Sequence, residues 1–422
     1  MTESARSASP ESARSASPES ARSGTNAADA AAESARSATP ETARSATPET
    51  ARSATPGTAH SATPETARSA PDGGNAPDAN ARNTNAPTAD APAPRPDTVR
   101  LGASGLQISS VILGMMSYGD PDKGAHEWSV GIDEARPFVR RAYEAGITTF
   151  DTANVYSAGS SEEITGTLLK ELAPREEVQV FTKVFNRMRP GPNGAGLSRA
   201  AIMHEIDASL TRLGTDYVDL YQIHRFDPHT PVEETMEALH DVVKAGKARY
   251  IGASSMWAWQ FAEMQHVAEL HGWTPFVSMQ DQYNLLEREE EREMHPFCAH
   301  TGVGVIPWSP LARGKLTRPW DAQGSGSRAN TDEFGKTLYR QDEDANRAIV
   351  DAVQQVAEAH DVSMAQIALA WVAGKDAVSA PIVGATKEHH IDDAVAASRI
   401  TLTDDEVTRL ESAYTPRVPS GF

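Results

Sequence analysis

TTFDTANVYSAGSSEEITGTLLKELAPREEVQVFTK, residues 148–183, joins two short apolar runs, TTFDT (148–152) and VQVFTK (178–183), through a helical stretch opened by Ser160–Glu163. Short apolar runs separated by an amphipathic stretch are the pattern of parallel strands connected by helices. Outward from this unit the same alternation continues through SVILG (110–114), YVDLYQIH (217–224), ARYIGAS (248–254), FVSMQ (276–280), GVIPW (304–308) and APIVG (380–384). Eight strands alternating with helices over about 325 residues suit one α/β domain, a (β/α)8 TIM barrel with insertions. A doubly wound sheet is the alternative, but no GxGxxG follows the first strand. Thr230-Pro231-Val232-Glu233 reads as a capping box with proline at the first helical position, and Ser363–Gln366 and Thr403–Glu406 fit the same box. Ahead of the barrel, VRLGASGLQISS (99–110) reads as a β-hairpin around Ser104-Gly105.

Residues 1–97 have a different texture. They are built from Ala, Ser, Arg, Pro, Thr and Glu in octapeptide repeats, ESARSASP twice and then variants of ATPETARS. Such a segment buries too little apolar surface to offset its conformational entropy, so it is expected to be a disordered, low-complexity tail before a folded region at 98–422. It has no apolar core of a secretory signal, and its recurrent glutamates do not suit a transit peptide. No partner for the tail is indicated.

The chain has 422 residues and a net charge of −19. The tail holds 9 Arg against 12 Asp and Glu, or −3, which leaves −16 on the folded region. An acidic body argues against nucleic acid or anionic lipid as the main partner. No apolar run is long enough to span a bilayer. Cys298 is the only cysteine, so neither an internal disulfide nor a cysteine-rich metal site is available. A cytoplasmic protein without a metal is the expectation.

In a barrel of this kind chemistry gathers at the carboxyl ends of the strands. The second barrel strand ends in Asp151, with Tyr156 in the loop beyond it; the third ends in Lys183 and the fourth in His224. Singly these would be rim salt bridges, packing or a satisfied histidine. Together, at three consecutive strand mouths, they can converge. A carbonyl that accepts hydride needs a proton donor at the developing alkoxide. Tyrosine is a poor acid at neutral pH unless its phenolate is stabilised. Lys183 would stabilise it, Asp151 would keep that ammonium charged, and His224, as a neutral donor, would orient the carbonyl oxygen.

Asp151, Tyr156, Lys183 and His224 resemble the catalytic tetrad of the aldo-keto reductase superfamily. The surrounding FDTANVYSAGSSEEITG, RLGTDYVDLYQIH, GKARYIGASS and VIPWSPLARGKL agree with it from about Arg100 to Phe422. The chain looks most like a bacterial aryl-alcohol-dehydrogenase-like branch, whose members are also labelled for 1-deoxyxylulose 5-phosphate. The resemblance implies a nicotinamide cofactor laid across the barrel mouth. Ser254 and Gln280 would bind its carboxamide, Trp308 would lie against the ring, and Ser309, Leu311, Gly314 and Lys315 would cradle the pyrophosphate. Gly384, Thr386, Lys387, His390 and Asp393 occupy the adenosine-binding positions. Lys387, with Arg328 from the long 311–344 loop, would favour NADPH/NADP+ over NADH. His390 stands where Gln is usual, and Ala394 where Asn is common.

The substrate pocket is expected from Met116, Tyr118, Val155, Phe185, Arg225 and Phe226. Apolar and aromatic residues around such a centre suit an aromatic or medium-sized aldehyde, whereas Arg187, Arg189 and Arg225 would suit an anionic substrate such as a sugar phosphate. The leading expectation is an NADPH-dependent reductase of aldehydes or ketones; a cofactor-occupied redox-sensing subunit is the alternative, and a metal-dependent barrel hydrolase lacks the clustered ligands. Deleting residues 1–95 is expected to leave turnover of a carbonyl substrate intact, because the tail has no apolar face with which to pack. A collapse of kcat in that truncation would refute the idea.

Overall fold

The computed structural model describes residues 97–123, 129–323, 338–339 and 342–419. The expected tail, save Asp97, lies outside these residues, and so does Arg328. Strands β1 (Thr98–Arg100) and β2 (Gln107–Ser109) form the expected antiparallel hairpin, with Arg100 opposite Gln107 and the turn closed by Ser104 Oγ donating to Leu101 O at 2.7 Å. Eight parallel strands follow: β3 (Ile112–Gly114), β4 (Thr149–Asp151), β5 (Gln179–Val184), β6 (Val218–Ile223), β7 (Ala248–Ser254), β8 (Phe276–Gln280), β9 (Gly304–Val305) and β10 (Ile382–Val383). Their order around the sheet is β10-β3-β4-β5-β6-β7-β8-β9.

The two ends of that order meet. Ser379 N donates to Val305 O at 2.8 Å, Val305 N to Ala377 O at 3.0 Å, and Ile382 N to Pro307 O at 2.9 Å, closing the barrel. Pro307 and Pro381 lie at this seam. Proline has no N–H for the ladder. The two expected runs at 304–308 and 380–384 are accordingly regular over only two residues each.

Helices α1 (Ile132–Glu144), α2 (Ser160–Leu172), α3 (Arg199–Leu213), α4 (Val232–Lys244), α5 (Ala258–His271) and α6 (Met294–Thr301) alternate with the strands. Helices α7 (Glu343–His360), α8 (Met364–Ala373), α9 (Glu388–Ala397) and α10 (Asp404–Glu411) come later in the chain. Helix α4 shows the inward face plainly: Thr235, Met236, Ala238, Leu239 and Val242 are buried. That spacing puts one side of a 3.6-residue period against the sheet.

Inside the barrel, Ile112, Phe181, Leu220, Ile306 and Ile382 pack with Leu101 and Ile108 of the hairpin. The hairpin approaches closely enough that a Cβ on Gly102 would stand 2.4 Å from Gly302 O and Gly304 N, next to the start of β9. Gly102 also has φ +55, so only glycine fits there without strain. The hairpin therefore covers the amino-terminal end of the barrel and leaves the carboxyl-terminal end for chemistry.

Capping departs from expectation in one place, the Thr230 box, whereas the helix after β4 opens at Ser160 as expected. The boxes at Ser363/Gln366 and Thr403/Glu406 form. Thr230 does not cap α4; its hydroxyl donates to Asp227 Oδ2 at 2.9 Å, and the helix begins after Pro231 without a side-chain cap. Ser160 is the first residue of α2, behind Gly159, and its hydroxyl bonds Ser157 O at 2.8 Å.

Behind the strand mouths lies a buried ionic network. Glu162 of α2, fully buried, accepts from Thr182 Oγ1 of β5 at 2.6 Å and from Arg212 Nε of α3 at 2.6 Å. The same guanidinium stands 3.9 Å from Glu205, which also accepts from Asn154 Nδ2 at 3.1 Å. One cation thus serves two buried carboxylates, and removing one partner of such a set leaves uncompensated charge. Arg212→Met is expected to lower unfolding free energy by about 3 kcal/mol or more, as read from a urea titration. A change below about 1 kcal/mol would mean that solvent already satisfies the pair.

Candidate active site

Asp151 ends β4, and the chain then turns sharply. Ser157 (φ 46), Ala158 (φ 52) and Gly159 (φ 96) are consecutive left-handed residues, and they bring Tyr156 back over the strand mouth. The turn is anchored from below: Asn154 N donates to Lys183 O at 3.2 Å, and Thr152 Oγ1 shares a 2.9 Å hydrogen bond with Ser161 Oγ. Lys183 reaches the same place from β5. Its fully buried ammonium donates to Asp151 Oδ1, to Thr152 O at 2.9 Å and to Tyr156 OH at 3.2 Å. Three N–H bonds meet three acceptors. Burial works against the ammonium, but Asp151 and then Tyr156 hold its proton, and the net shift of Lys183 is upward.

His224 follows β6, its ring edge-on to Tyr156 with centroids 5.8 Å apart. Burial first, then the charges of Lys183 and Arg225, keep this imidazole well below the usual histidine range. Asn186 Nδ2 lies 3.2 Å from His224 Nδ1. An amide nitrogen can only donate, so Nδ1 accepts and the single ring proton sits on Nε2. The four residues singled out by sequence therefore do converge, with the lysine as hub.

Around them is a second layer. Asp151 Oδ2 accepts from Gln222 Nε2 and from Gln280 Nε2, both at 3.0 Å. Gln280 Oε1 accepts no hydrogen bond from any described residue, and Ser254 Oγ lies 3.3 Å from Ser255 Oγ at the end of β7. Trp308 Nε1 donates to Ser255 Oγ at 3.2 Å, which fixes the plane of the indole. A hydroxyl, an amide oxygen and a fixed aromatic face at adjacent strand ends fit a nicotinamide carboxamide and ring. Beyond Trp308, Ser309 (φ 54), Ala312 (φ 47), Arg313 (φ 55) and Gly314 (φ 94) take left-handed conformations. Within this turn Ala312 N donates to Ser309 O at 2.9 Å, Gly314 N to Leu311 O at 2.9 Å and Lys315 N to Ala312 O at 3.2 Å, so most of its N–H groups are used internally. Leu311 and Lys315 lie in the same turn, half-buried.

After β10, Gly384 and Lys387 are exposed, and Thr386 N donates to His390 Nδ1 at 3.3 Å. The carboxylate of Asp393 accepts from Gln366 Nε2 at 2.9 Å, which ties α9 to the start of α8. Ala394 is buried.

On the substrate side, Met116, Val155, Phe185 and Phe226 are half-buried. Tyr118 is not with them, contrary to expectation. It is fully buried, stacks on Phe138 and donates its hydroxyl to Ala385 O at 2.6 Å, so it packs the core. Arg225 Nη1 donates to His224 O at 2.9 Å. Arg187 and Arg189 instead bond carbonyls of their own loop: Arg187 to Arg189 O (3.2 Å) and Gly191 O (3.1 Å), Arg189 to Pro192 O (3.2 Å) and Asn193 O (2.9 Å). Sequence reasoning missed Gln222, Ser255 and Asn186. An amide inside the buried run LYQI was the available signal for Gln222; the other two carried none.

The chain belongs to the aldo/keto reductase family, whose model matches residues 110–415. It is therefore an oxidoreductase of carbonyl compounds, in a family that works with nicotinamide cofactors. Among similar proteins, the versiconal hemiacetal acetate reductase of Aspergillus parasiticus is 46% identical over 337 residues, 75% of this chain and 97% of the relative. An aldo-keto reductase of Alternaria alternata is 44% identical over 347 residues, 76% of this chain and 92% of the relative. A Schizosaccharomyces pombe protein named as an aryl-alcohol dehydrogenase is 44% identical over 340 residues, 75% of this chain and 95% of the relative. These relatives are fungal, so neither the expected bacterial branch nor the 1-deoxyxylulose 5-phosphate label gains support.

The geometry around His224 has a direct spectroscopic consequence. A long-range 1H–15N spectrum, assigned with a His224→Asn variant, is expected to show a neutral Nε2–H imidazole unchanged from pH 8 to pH 6. The sign follows from the downward shift: protonation would begin only well below the ordinary value near 6.5. A mid-point near 6.5 would contradict it.

Proposed function

We propose that the protein reduces aldehydes or ketones to alcohols with NADPH, with Tyr156 as the proton donor. The observation that carries this reading is the Lys183 ammonium, bonded at once to Asp151 and to Tyr156 OH at 3.2 Å. Bound NADPH would supply the hydride. The residues of this chain would do the rest. The Nε2–H of His224 would orient the carbonyl oxygen. Tyr156 OH would pass its proton to that oxygen as negative charge develops, and Lys183 would stabilise the phenolate left behind. Asp151 would keep the ammonium charged and in place.

Ser254, Gln280 and Trp308 would hold the nicotinamide end, the 309–315 turn the pyrophosphate, and Gly384, Thr386, Lys387 and His390 the adenosine end. The exposed ammonium of Lys387 supports NADPH, since it is available to a 2′-phosphate. Asp393, bonded to Gln366, would contribute by fixing α9 rather than by touching the ligand. An aromatic or hydroaromatic carbonyl is the favoured substrate class. Half-buried Phe185, Phe226, Val155 and Met116 supply apolar surface, whereas Arg187 and Arg189 are engaged in their own loop. The relatives named for aryl alcohols and for a hemiacetal acetate support the same class. The protein would act in the cytoplasm.

The test is NADPH and then NADH oxidation with nitrobenzaldehydes, short aliphatic aldehydes and phosphorylated sugars. Turnover is expected with NADPH and the aromatic aldehydes. Tight NADPH retention with no turnover on any of them would replace this reading with that of a cofactor-occupied sensing subunit. Tyr156→Phe is expected to lose about a hundredfold or more in kcat while still binding cofactor; wild-type turnover in that variant would refute the assigned acid.

A further inference from the structure

We propose that Gln222 is a positioning residue that tunes the proton donor by fixing Asp151, an inference that rests on the reading of Tyr156 above. Gln222 sits on β6, in register with Lys183 of β5 on one side and with Gly252 of β7 on the other. Its side chain is fully buried. Space for it comes from Gly252: a Cβ there would stand 3.2 Å from Gln222 Cγ and 2.3 Å from Ser278 Oγ.

A buried amide in a barrel interior is costly unless its polar atoms are used. Here they are used in one ring. Gln222 Nε2 donates to Asp151 Oδ2, Gln280 Nε2 donates to Gln222 Oε1, and Gln280 Nε2 also donates to Asp151 Oδ2, each at 3.0 Å. The Asp151 carboxylate is thereby held at both ends, Oδ1 by Lys183 and Oδ2 by two amides. Donors on Oδ2 draw negative charge away from Oδ1. That weakens the pull of Asp151 on the Lys183 ammonium and leaves more of its positive field for Tyr156 OH. A carboxylate stripped of one amide would bind the ammonium harder, and the phenolate of Tyr156 would be less stabilised. Gln280 joins this ring to the proposed nicotinamide seat, because its Oε1 stands free of described partners while its Nε2 is committed to Asp151. The same amide would then both receive the carboxamide and orient the carboxylate behind the acid.

The experiment uses the full chain with NADPH and 4-nitrobenzaldehyde, following the single-turnover rate of NADPH oxidation against pH and NADPH affinity by tryptophan fluorescence. Gln222→Met keeps the volume and removes the ring. Its expected result is a single-turnover rate about tenfold lower at pH 7, an alkaline limb about one pH unit higher, and NADPH affinity within about threefold of wild type. Gln222→Glu keeps the shape and can donate to Asp151 only while protonated, so it should approach the wild-type rate at acid pH and lose it as pH rises. A role in packing alone would change stability but move neither limb. A wild-type rate and limb in Gln222→Met overturns the proposal. Should that variant fail to fold, a wild-type profile in Gln222→Glu overturns it and an acid-rescued profile supports it. Tyr156→Phe run alongside separates the two readings: if it keeps turnover, the assigned acid is wrong, whereas if it is inactive and both Gln222 variants behave as wild type, only the role of Gln222 falls.

Discussion

A single buried ammonium organises this molecule. Lys183 has no solvent exposure, so its charge stands only if something inside the barrel replaces water. Asp151 supplies the opposite charge, Thr152 a carbonyl and Tyr156 a hydroxyl. Each comes from β4 or the turn after it, so the register between β4 and β5 fixes the whole group. A sheet that slipped by one residue would turn Lys183 outward and leave Asp151 buried without its cation. The left-handed turn at 157–159, costly for Ser157 and Ala158, is held between the anchored Asn154 and Thr152 on one side and Ser161 on the other. A second ionic cluster, Glu162 with Arg212 and Glu205, backs the same strand mouths and ties α2 to α3.

Much of this was legible in the sequence. The eight apolar runs needed only pattern and length to be read as strands, and an ionisable residue at the end of an apolar run has few places to point except the mouth. Details set by tertiary competition were not legible. The Thr230 capping box fails because Asp227 is already the organiser of that loop: it takes the N–H groups of Leu197 at 2.8 Å and His229 at 3.0 Å and claims the threonine hydroxyl too. Tyr118 reads as a pocket residue by position, yet a carbonyl 267 residues away takes its hydroxyl. Gln222 hides in DLYQI because no local pattern tells which amide finds a carboxylate on another strand. Arg187 and Arg189 read as substrate ligands by position, yet both turn toward carbonyls of their own loop, and Arg189 Nε is left without a partner among the described residues.

The open end also shows a division of labour. Strand ends and the anchored turn after β4 hold the groups expected to move a proton, and other loop residues form the apolar surround. Phe226 meets Trp259, a largely exposed side chain of α5, with ring centroids 6.2 Å apart. Loop variation could therefore alter which carbonyl is admitted without disturbing Lys183 and its partners.

The proline-shortened seam has a consequence for the whole barrel. Few backbone hydrogen bonds close the barrel between β9 and β10, and opening the sheet along this line would break them. The turn at 309–315 leaves one side of that line, and the segment from Gly384 to His390 leaves the other. A dinucleotide held by both would lie across the seam like a clasp. Cofactor would then be a structural member as well as a reactant: each tenfold rise of its concentration above the dissociation constant would add about 1.4 kcal/mol to the free energy needed to open the barrel.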